Sequence, residues 1–172
     1  MRVYLIRHGK TQGNIEKRYI GSTDEPLCEI GIKELEKITP PPADIVITSA
    51  LKRAKQTTEI LYSRIDEEIA ELNESDFGSF EGKSYEDLKN NSDYVKWIES
   101  SGEDIIPTLE RKSHFSKRCI SAFEEMIEKY KDYENIAFVI HGGTIMAIAE
   151  YILKGNFYDY QLKNGEYIEL VI

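Results

Sequence analysis

Three short apolar runs constrain this chain more than any other feature: Val3 to Ile6, Ile45 to Ile47 (opened by Asp44) and Ile136 to Ile140. They are rich in Val and Ile, and polar residues do not alternate through them. A strand with one solvated face alternates, whereas a strand covered on both faces does not. The runs therefore read as central strands of a mostly parallel sheet with helices on both sides. Ile65 to Ala70 is a shorter fourth candidate, and Tyr167 to Ile172 a fifth. Helical spacing fills the gaps. Leu51, Ala54, Thr58 and Leu61 follow Ser49, a residue suited to an N-cap. Phe115, Cys119, Ala122, Met126 and Tyr130 mark a longer helix. Ile145, Ile148, Ala149, Ile152 and Leu153 mark a largely buried one that should stop before Gly155. A short helix over 30–38 should end before Pro40-Pro41-Pro42. Alternating strands and helices predict an α/β chain of three layers, a sheet between two sets of helices.

At 172 residues the chain suits one domain spanning 1–172, long enough to bury a core without disulfides or metal. The 22 Lys and Arg against 31 Asp and Glu give a formal charge of −9. That sign argues against nucleic acid, whose binders neutralise phosphates with basic residues, and against an anionic membrane surface. Cys28 and Cys119 form no CxxC pair, as expected of reduced thiols in a cytoplasmic protein. The N-terminal apolar stretch is too short for a signal peptide or a membrane span. Residues 71–111 hold eleven Asp or Glu against four Lys or Arg and fit the strand–helix alternation least. They read as an insertion with short helices near Tyr85 to Lys89 and Tyr94 to Ile98, placed to act as a lid.

Open α/β sheets bind ligands beyond the carboxyl ends of their strands. After Val3–Ile6 come Arg7-His8-Gly9. After Ile45–Ile47 come Thr48 and Ser49, with Arg53 four residues past Ser49. After Ile136–Ile140 come His141-Gly142-Gly143. Two of the three histidines and two arginines thus gather at equivalent topological positions. Guanidinium groups match phosphate oxygens, helix N-termini add N–H donors, and glycines let the backbone approach closely. An imidazole among them can attack phosphorus while the positive groups stabilise the equatorial oxygens. The leaving alkoxide also needs a proton donor, a carboxylic acid in the cleft. Composition does not choose one; Glu74, just after the fourth strand, is well placed.

These residues carry a family resemblance. Leu5-Ile6-Arg7-His8-Gly9-Lys10-Thr11, with Asn14, resembles the Arg-His-Gly-x-Thr signature of the histidine phosphatase superfamily, the phosphoglycerate mutase-like group. Arg18 to Asp24, with Pro26-Leu27 and Gly31, resembles that family's next loop. Ser49 to Thr57 resembles its second-arginine motif. Leu72-Asn73-Glu74, with Phe77-Gly78 and Phe80-Glu81-Gly82, resembles its acid motif, and Val139 to Gly143 its second-histidine motif. The order is right and the motifs span most of the chain. The resemblance implies a phosphoglycerate mutase-like fold and a metal-free, cofactor-free reaction on a small phosphorylated metabolite. In it His8 is the nucleophile that becomes phosphohistidine. Arg7, Arg53 and His141 bind phosphate and stabilise the transition state, with contacts from Asn14, Gly21 and the Gly142 N–H. Glu74 is the general acid, then the base for water.

The chain departs from the family pattern at Lys10, where many relatives carry Glu or Gln. Cys28 stands where Thr or Ser usually caps a helix, and 100–107 stands where many carry Gly-Gly-Glu-Ser. Gly9-Lys10-Thr11 superficially resembles the end of a P-loop, but the glycine it requires is Tyr4, inside a strand. No HExxH or Cys-rich spacing supports a metal hydrolase, and His114 reads as an exposed or packing residue. Within the family the alternatives are a phosphatase, a phosphoglycerate mutase and a phosphate-binding regulatory module. Family mutases are longer, with an added insertion and a C-terminal tail. The sequence ends directly after its last strand, so hydrolysis is expected. Gly142-Gly143 and the compact length resemble the α-ribazole phosphatases of cobalamin synthesis. The oligomeric state is left open.

Overall fold

In the computed structural model, which describes residues 1–172, five strands form one sheet. They are β1 (Arg2–Arg7), β2 (Ile45–Ser49), β3 (Glu67–Ile69), β4 (Asn135–Ile140) and β5 (Tyr167–Val171), in the order β3-β2-β4-β1-β5. The first four are mutually parallel, and β5 runs antiparallel along β1. Seven helices accompany them: α1 (Gln12–Ile15), α2 (Glu29–Leu35), α3 (Lys52–Tyr62), α4 (Tyr85–Leu88), α5 (Ser92–Glu99), α6 (Lys112–Lys129) and α7 (Gly142–Leu153). No helix is long and apolar enough to cross a membrane.

The non-alternating runs are explained by what covers them. Side chains of a strand point alternately to the two faces. Val3, Leu5, Ile136, Phe138 and Ile140 meet Ala122, Phe123 and Met126 of α6 and Ile145 and Ile148 of α7. Their neighbours Tyr4, Ile6, Ala137 and Val139 point the other way, where Leu61 and Tyr62 of α3 pack on them. Both faces are roofed by helices, so both sets must be apolar, giving the expected three layers of a mixed, mostly parallel α/β fold.

Several boundaries differ from the sequence reading. Ser49 is the last residue of β2, not the N-cap of α3; Leu51 holds that position without a side-chain cap bond. The Ser49 hydroxyl is drawn instead to a histidine across the sheet. The helix expected over 30–38 closes at Leu35, because Lys37 and Ile38 donate to Glu34 and Leu35 and tighten the chain into a turn. Cys28 caps it, its Sγ accepting from Gly31 N–H at 3.4 Å. At the end of α7, Lys154 and not Gly155 adopts the left-handed conformation (φ 61°). Gly155 is small for another reason: a Cβ there would collide with the Tyr160 ring.

Residues 71–111 carry α4 and α5 and bury a small core of their own, formed by Phe80, Leu88, Tyr94 and Ile106. Tyr19, Phe77 and Trp97 pack at its margin, and the Tyr19 and Tyr94 hydroxyls share a 2.7 Å hydrogen bond.

Candidate active site

Strand register brings the two histidines together. Arg7 at the end of β1 pairs with Ile140 at the end of β4, so His8 and His141 leave adjacent central strands side by side. Their rings lie 5.1 Å apart between centroids, tilted by 58°. Both are buried. Burial, with Arg53 next in weight and Arg7 further down, pushes both imidazoles well below the ordinary value of 6.5. The Gly9 carbonyl opposes this at His8. Both rings are therefore neutral at pH 7.

Hydrogen bonds then fix which nitrogen is available. His8 Nδ1 lies 2.7 Å from the Gly9 carbonyl oxygen. A carbonyl only accepts, so Nδ1 carries the proton and Nε2 keeps its lone pair. His141 is set the opposite way. Its Nε2 is 2.6 Å from Ser49 Oγ, whose hydroxyl has no other acceptor, so Ser49 donates and the proton sits on Nδ1. Sequence reasoning treated Ser49 as a cap and missed this role, which depends on β2 and β4 being neighbours.

Each arginine is held by its terminal nitrogens. Arg7 Nη1 donates to the Leu162 carbonyl at 2.5 Å. Arg53 Nη1 donates to Thr23 O and Nη2 to Gly21 O, each at 2.8 Å. Arg7 Nε, Arg53 Nε and His141 Nδ1 are left buried without partners, and only Ser116 Oγ elsewhere in the chain shares that condition. Buried donors are normally satisfied, so three orphan donors around one pair of imidazoles describe a place shaped for an oxyanion. The guanidinium of Arg7 lies 3.4 Å, at Cζ and at Nε, from where a Cβ on Gly142 would stand. Gly142 opens α7, and its N–H belongs to the first turn, which has no acceptor inside the helix.

Glu74 follows the short helical turn after β3, half-buried beside this cluster. One oxygen accepts from Ser75 N–H and the other from Gly143 N–H, both at 2.9 Å. Arg118 of α6 secures the same segment, donating to the carbonyls of Glu71, Asn73 and Glu74 at 2.7, 2.8 and 3.1 Å. Glu110 holds Arg118 in a two-pronged ion pair at 2.7 and 2.8 Å. Nothing in the helical periodicity of α6 signals this role for Arg118. Asn14 is oriented from outside: its Oδ1 accepts from Thr11 N–H and from Asn164 Nδ2, both at 3.1 Å. That leaves its Nδ2 without a protein partner, on the wall of a cavity. Asn164 also donates to the His8 carbonyl at 3.0 Å; it lies outside every motif and was not foreseen. Gly21 is committed on both sides, its N–H to Glu81 and its carbonyl to Arg53.

The cavity, about 600 Å³, is bordered on its polar side by Arg7, Asn14, Glu74 and Gly142. His8, Arg53 and His141 do not line it. Tyr19, Phe77, Trp97, Phe115, Phe157 and Tyr158 form its aromatic walls. Lys10 is turned away into an ion pair with Glu34 at 2.8 Å, and His114 is exposed. No group of three or more His, Cys, Asp or Glu side chains is placed to hold a metal ion. Burial pushes the Cys119 thiol up to about 12, which suits packing.

Comparison with known proteins gives a consistent result. The model of the histidine phosphatase superfamily (branch 1) matches residues 3–172. An adenosylcobalamin/alpha-ribazole phosphatase of Escherichia coli is 33% identical over 155 residues, covering 84% of this chain and 75% of that protein. A 2,3-bisphosphoglycerate-dependent phosphoglycerate mutase of Gloeobacter violaceus is 30% identical over 157 residues, covering 84% and 72%. A crystal structure of a putative alpha-ribazole-5′-P phosphatase from Escherichia coli superposes with a TM-score of 0.87 at 28% identity, covering 98% of this chain and 89% of that one.

Proposed function

This chain belongs to the histidine phosphatase superfamily, and we propose that it hydrolyses a small phosphate monoester through a phosphohistidine at Nε2 of His8. The orphan donors carry the reading. Arg7 Nε, Arg53 Nε and His141 Nδ1 are buried, unpaired and grouped with a neutral imidazole whose other nitrogen is already hydrogen-bonded. A phosphoryl group supplies the oxygens these donors lack.

The chemistry follows from the geometry. The lone pair of His8 Nε2 attacks phosphorus, and the bond to the ester oxygen breaks as Glu74 delivers a proton to the departing alkoxide. The imidazolium formed on His8 is stabilised by the Gly9 carbonyl at Nδ1–H. Donors from Arg7, Arg53, His141, Asn14 and the Gly142 N–H hold the equatorial oxygens as charge shifts. Glu74, now a carboxylate, takes a proton from water; the water oxygen attacks phosphorus, the P–Nε2 bond breaks, and inorganic phosphate leaves. No step draws on a metal or a cofactor. Gly21 serves by placing Arg53.

The aromatic walls favour an ester whose alcohol portion presents a flat, apolar surface. A nucleoside phosphate such as α-ribazole 5′-phosphate has that character, and relatives named for α-ribazole support it as the substrate. Residues 71–111, which supply Phe77 and Trp97, form the wall that sets this preference. Incubation with a substrate panel that includes α-ribazole 5′-phosphate and 3-phosphoglycerate tests the reading. Phosphate release with acid-labile labelling of the protein is expected, and His8→Ala should abolish both. An active His8→Ala enzyme refutes the nucleophile, and phosphoglycerate interconversion without phosphate release makes the chain a mutase.

A further inference from the structure

The acid motif contains a second carboxylate that the reaction does not use. Glu81 accepts hydrogen bonds from Gly21 N–H (3.1 Å to each oxygen), Ser22 N–H (2.9 Å), Thr23 N–H (3.4 Å), Thr23 Oγ1 (2.7 Å), Ser22 Oγ (3.4 Å) and Phe77 N–H (3.0 Å). A carboxylate offers about four lone-pair sites, so the oxygens of Glu81 are fully engaged by these donors. Three successive N–H groups of the 21–23 loop thus converge on one carboxylate. Carbonyls of the same loop point to Arg53: Gly21 O and Thr23 O each receive a guanidinium nitrogen at 2.8 Å, and Ile20 O lies at 3.5 Å. The loop has little freedom to do this otherwise. A Cβ on Gly21 would overlap the Ser75 carbonyl oxygen and stand 2.6 Å from Glu81 Oε1 and 2.8 Å from Phe77 Cδ2.

We propose that Glu81 is the positioning residue of the phosphate site: by gathering the N–H groups of residues 21–23 it presents their carbonyls to Arg53 and so aims that guanidinium. The proposal rests on Arg53 being a phosphate ligand. Removing the acceptor leaves four backbone donors, those of Gly21, Ser22, Thr23 and Phe77, and a threonine hydroxyl to find other partners. The loop must then turn, and Arg53 loses its seat while its own chemistry is untouched. Glu81 acts entirely through Arg53, so its loss should have no further effect once Arg53 is absent.

The test is a double-mutant cycle on the full chain: the parent, Glu81→Gln, Arg53→Ala and the double variant. Inorganic phosphate is the probe, read as competitive inhibition of p-nitrophenyl phosphate hydrolysis and as the phosphate-induced rise in melting temperature, which needs no turnover. Glu81→Gln should weaken phosphate binding by about tenfold or more, on the scale of one or two charge-assisted hydrogen bonds. Arg53→Ala should weaken it at least as much, and the double variant should match Arg53→Ala. Glu81→Asp, which keeps the charge, should recover part of the loss, and it replaces Glu81→Gln in the cycle should that variant fail to fold. Parent-like phosphate binding in Glu81→Gln overturns the proposal, as does a Glu81 loss repeated in full on the Arg53→Ala background. Parent-like phosphate binding in Arg53→Ala overturns the phosphate-site reading beneath it as well.

Discussion

Gly143→Ala tests the proposed role of Glu74 as proton donor with one methyl group. Gly143 is the second residue of α7, and alanine suits a helix better than glycine by up to about 1 kcal/mol. The backbone should therefore accept the change. The side chain cannot be accommodated in place: the new Cβ would fall well inside contact distance of Glu74 Oε1 and stand 3.1 Å from Glu74 Cδ and 3.2 Å from Phe115 Cε1. Ordinary carbon contacts need about 3.5 Å, so the carboxylate must withdraw by roughly 1 Å. A displacement of that size costs about a hundredfold in a positioned catalytic step, within the 10²–10⁴ that a general acid contributes. The measurement is kcat/KM, which reports steps up to phosphoenzyme formation, for an alkyl phosphate and for p-nitrophenyl phosphate. The alkyl ester needs its leaving group protonated; nitrophenolate leaves without help. The expected result is about a hundredfold loss on the alkyl ester and less than about threefold on the nitrophenyl ester. The melting temperature should hold, and Glu74→Gln should reproduce the pattern. Equal losses on both esters, or an undiminished rate on the alkyl ester, would refute the assignment of Glu74 as the acid and of Gly143 as the residue that makes room for it.

Two further predictions concern the histidine pair. Ser49→Ala deprives the buried His141 Nε2 of its one partner; it should cost about 1–3 kcal/mol of stability and lower kcat/KM about tenfold or more, whereas Ser49→Thr, which retains a hydroxyl, should recover part of the activity. Stability should also fall below the ordinary imidazole value of 6.5. Unfolded His8 and His141 take up protons there and the folded, depressed pair does not, so the unfolded state binds more protons and the stabilisation present above pH 6.5 is lost as pH falls toward the folded values. Each group contributes a slope of about 1.4 kcal/mol per pH unit. Urea unfolding at pH 7.0, 6.0 and 5.5 measures it; a His8→Gln, His141→Gln variant should lose most of the slope, and an unchanged slope would place the titration elsewhere.

The sequence alone determined the sheet, because a strand covered on both faces must be apolar at every position. Val3–Ile6, Ile45–Ile47 and Ile136–Ile140 report that covering directly. It also determined which chemistry-bearing residues follow the strands, since parallel strands share one carboxyl edge whatever their order. His8, Arg53 and His141 were legible for that reason, and Glu74 only with the added weight of the family motif. Strand order was not legible, and it decided the rest. That β4 lies between β1 and β2 sets His141 against both His8 and Ser49, so a serine suited to capping a helix instead orients an imidazole. Arg118, Asn164 and Glu81 were equally hidden, because their partners lie 8 to 47, 150 to 156 and 4 to 60 residues away. Local pattern carries periodicity and burial. The aim of a side chain depends on donors and acceptors that only the folded chain brings within 3 Å or so of it.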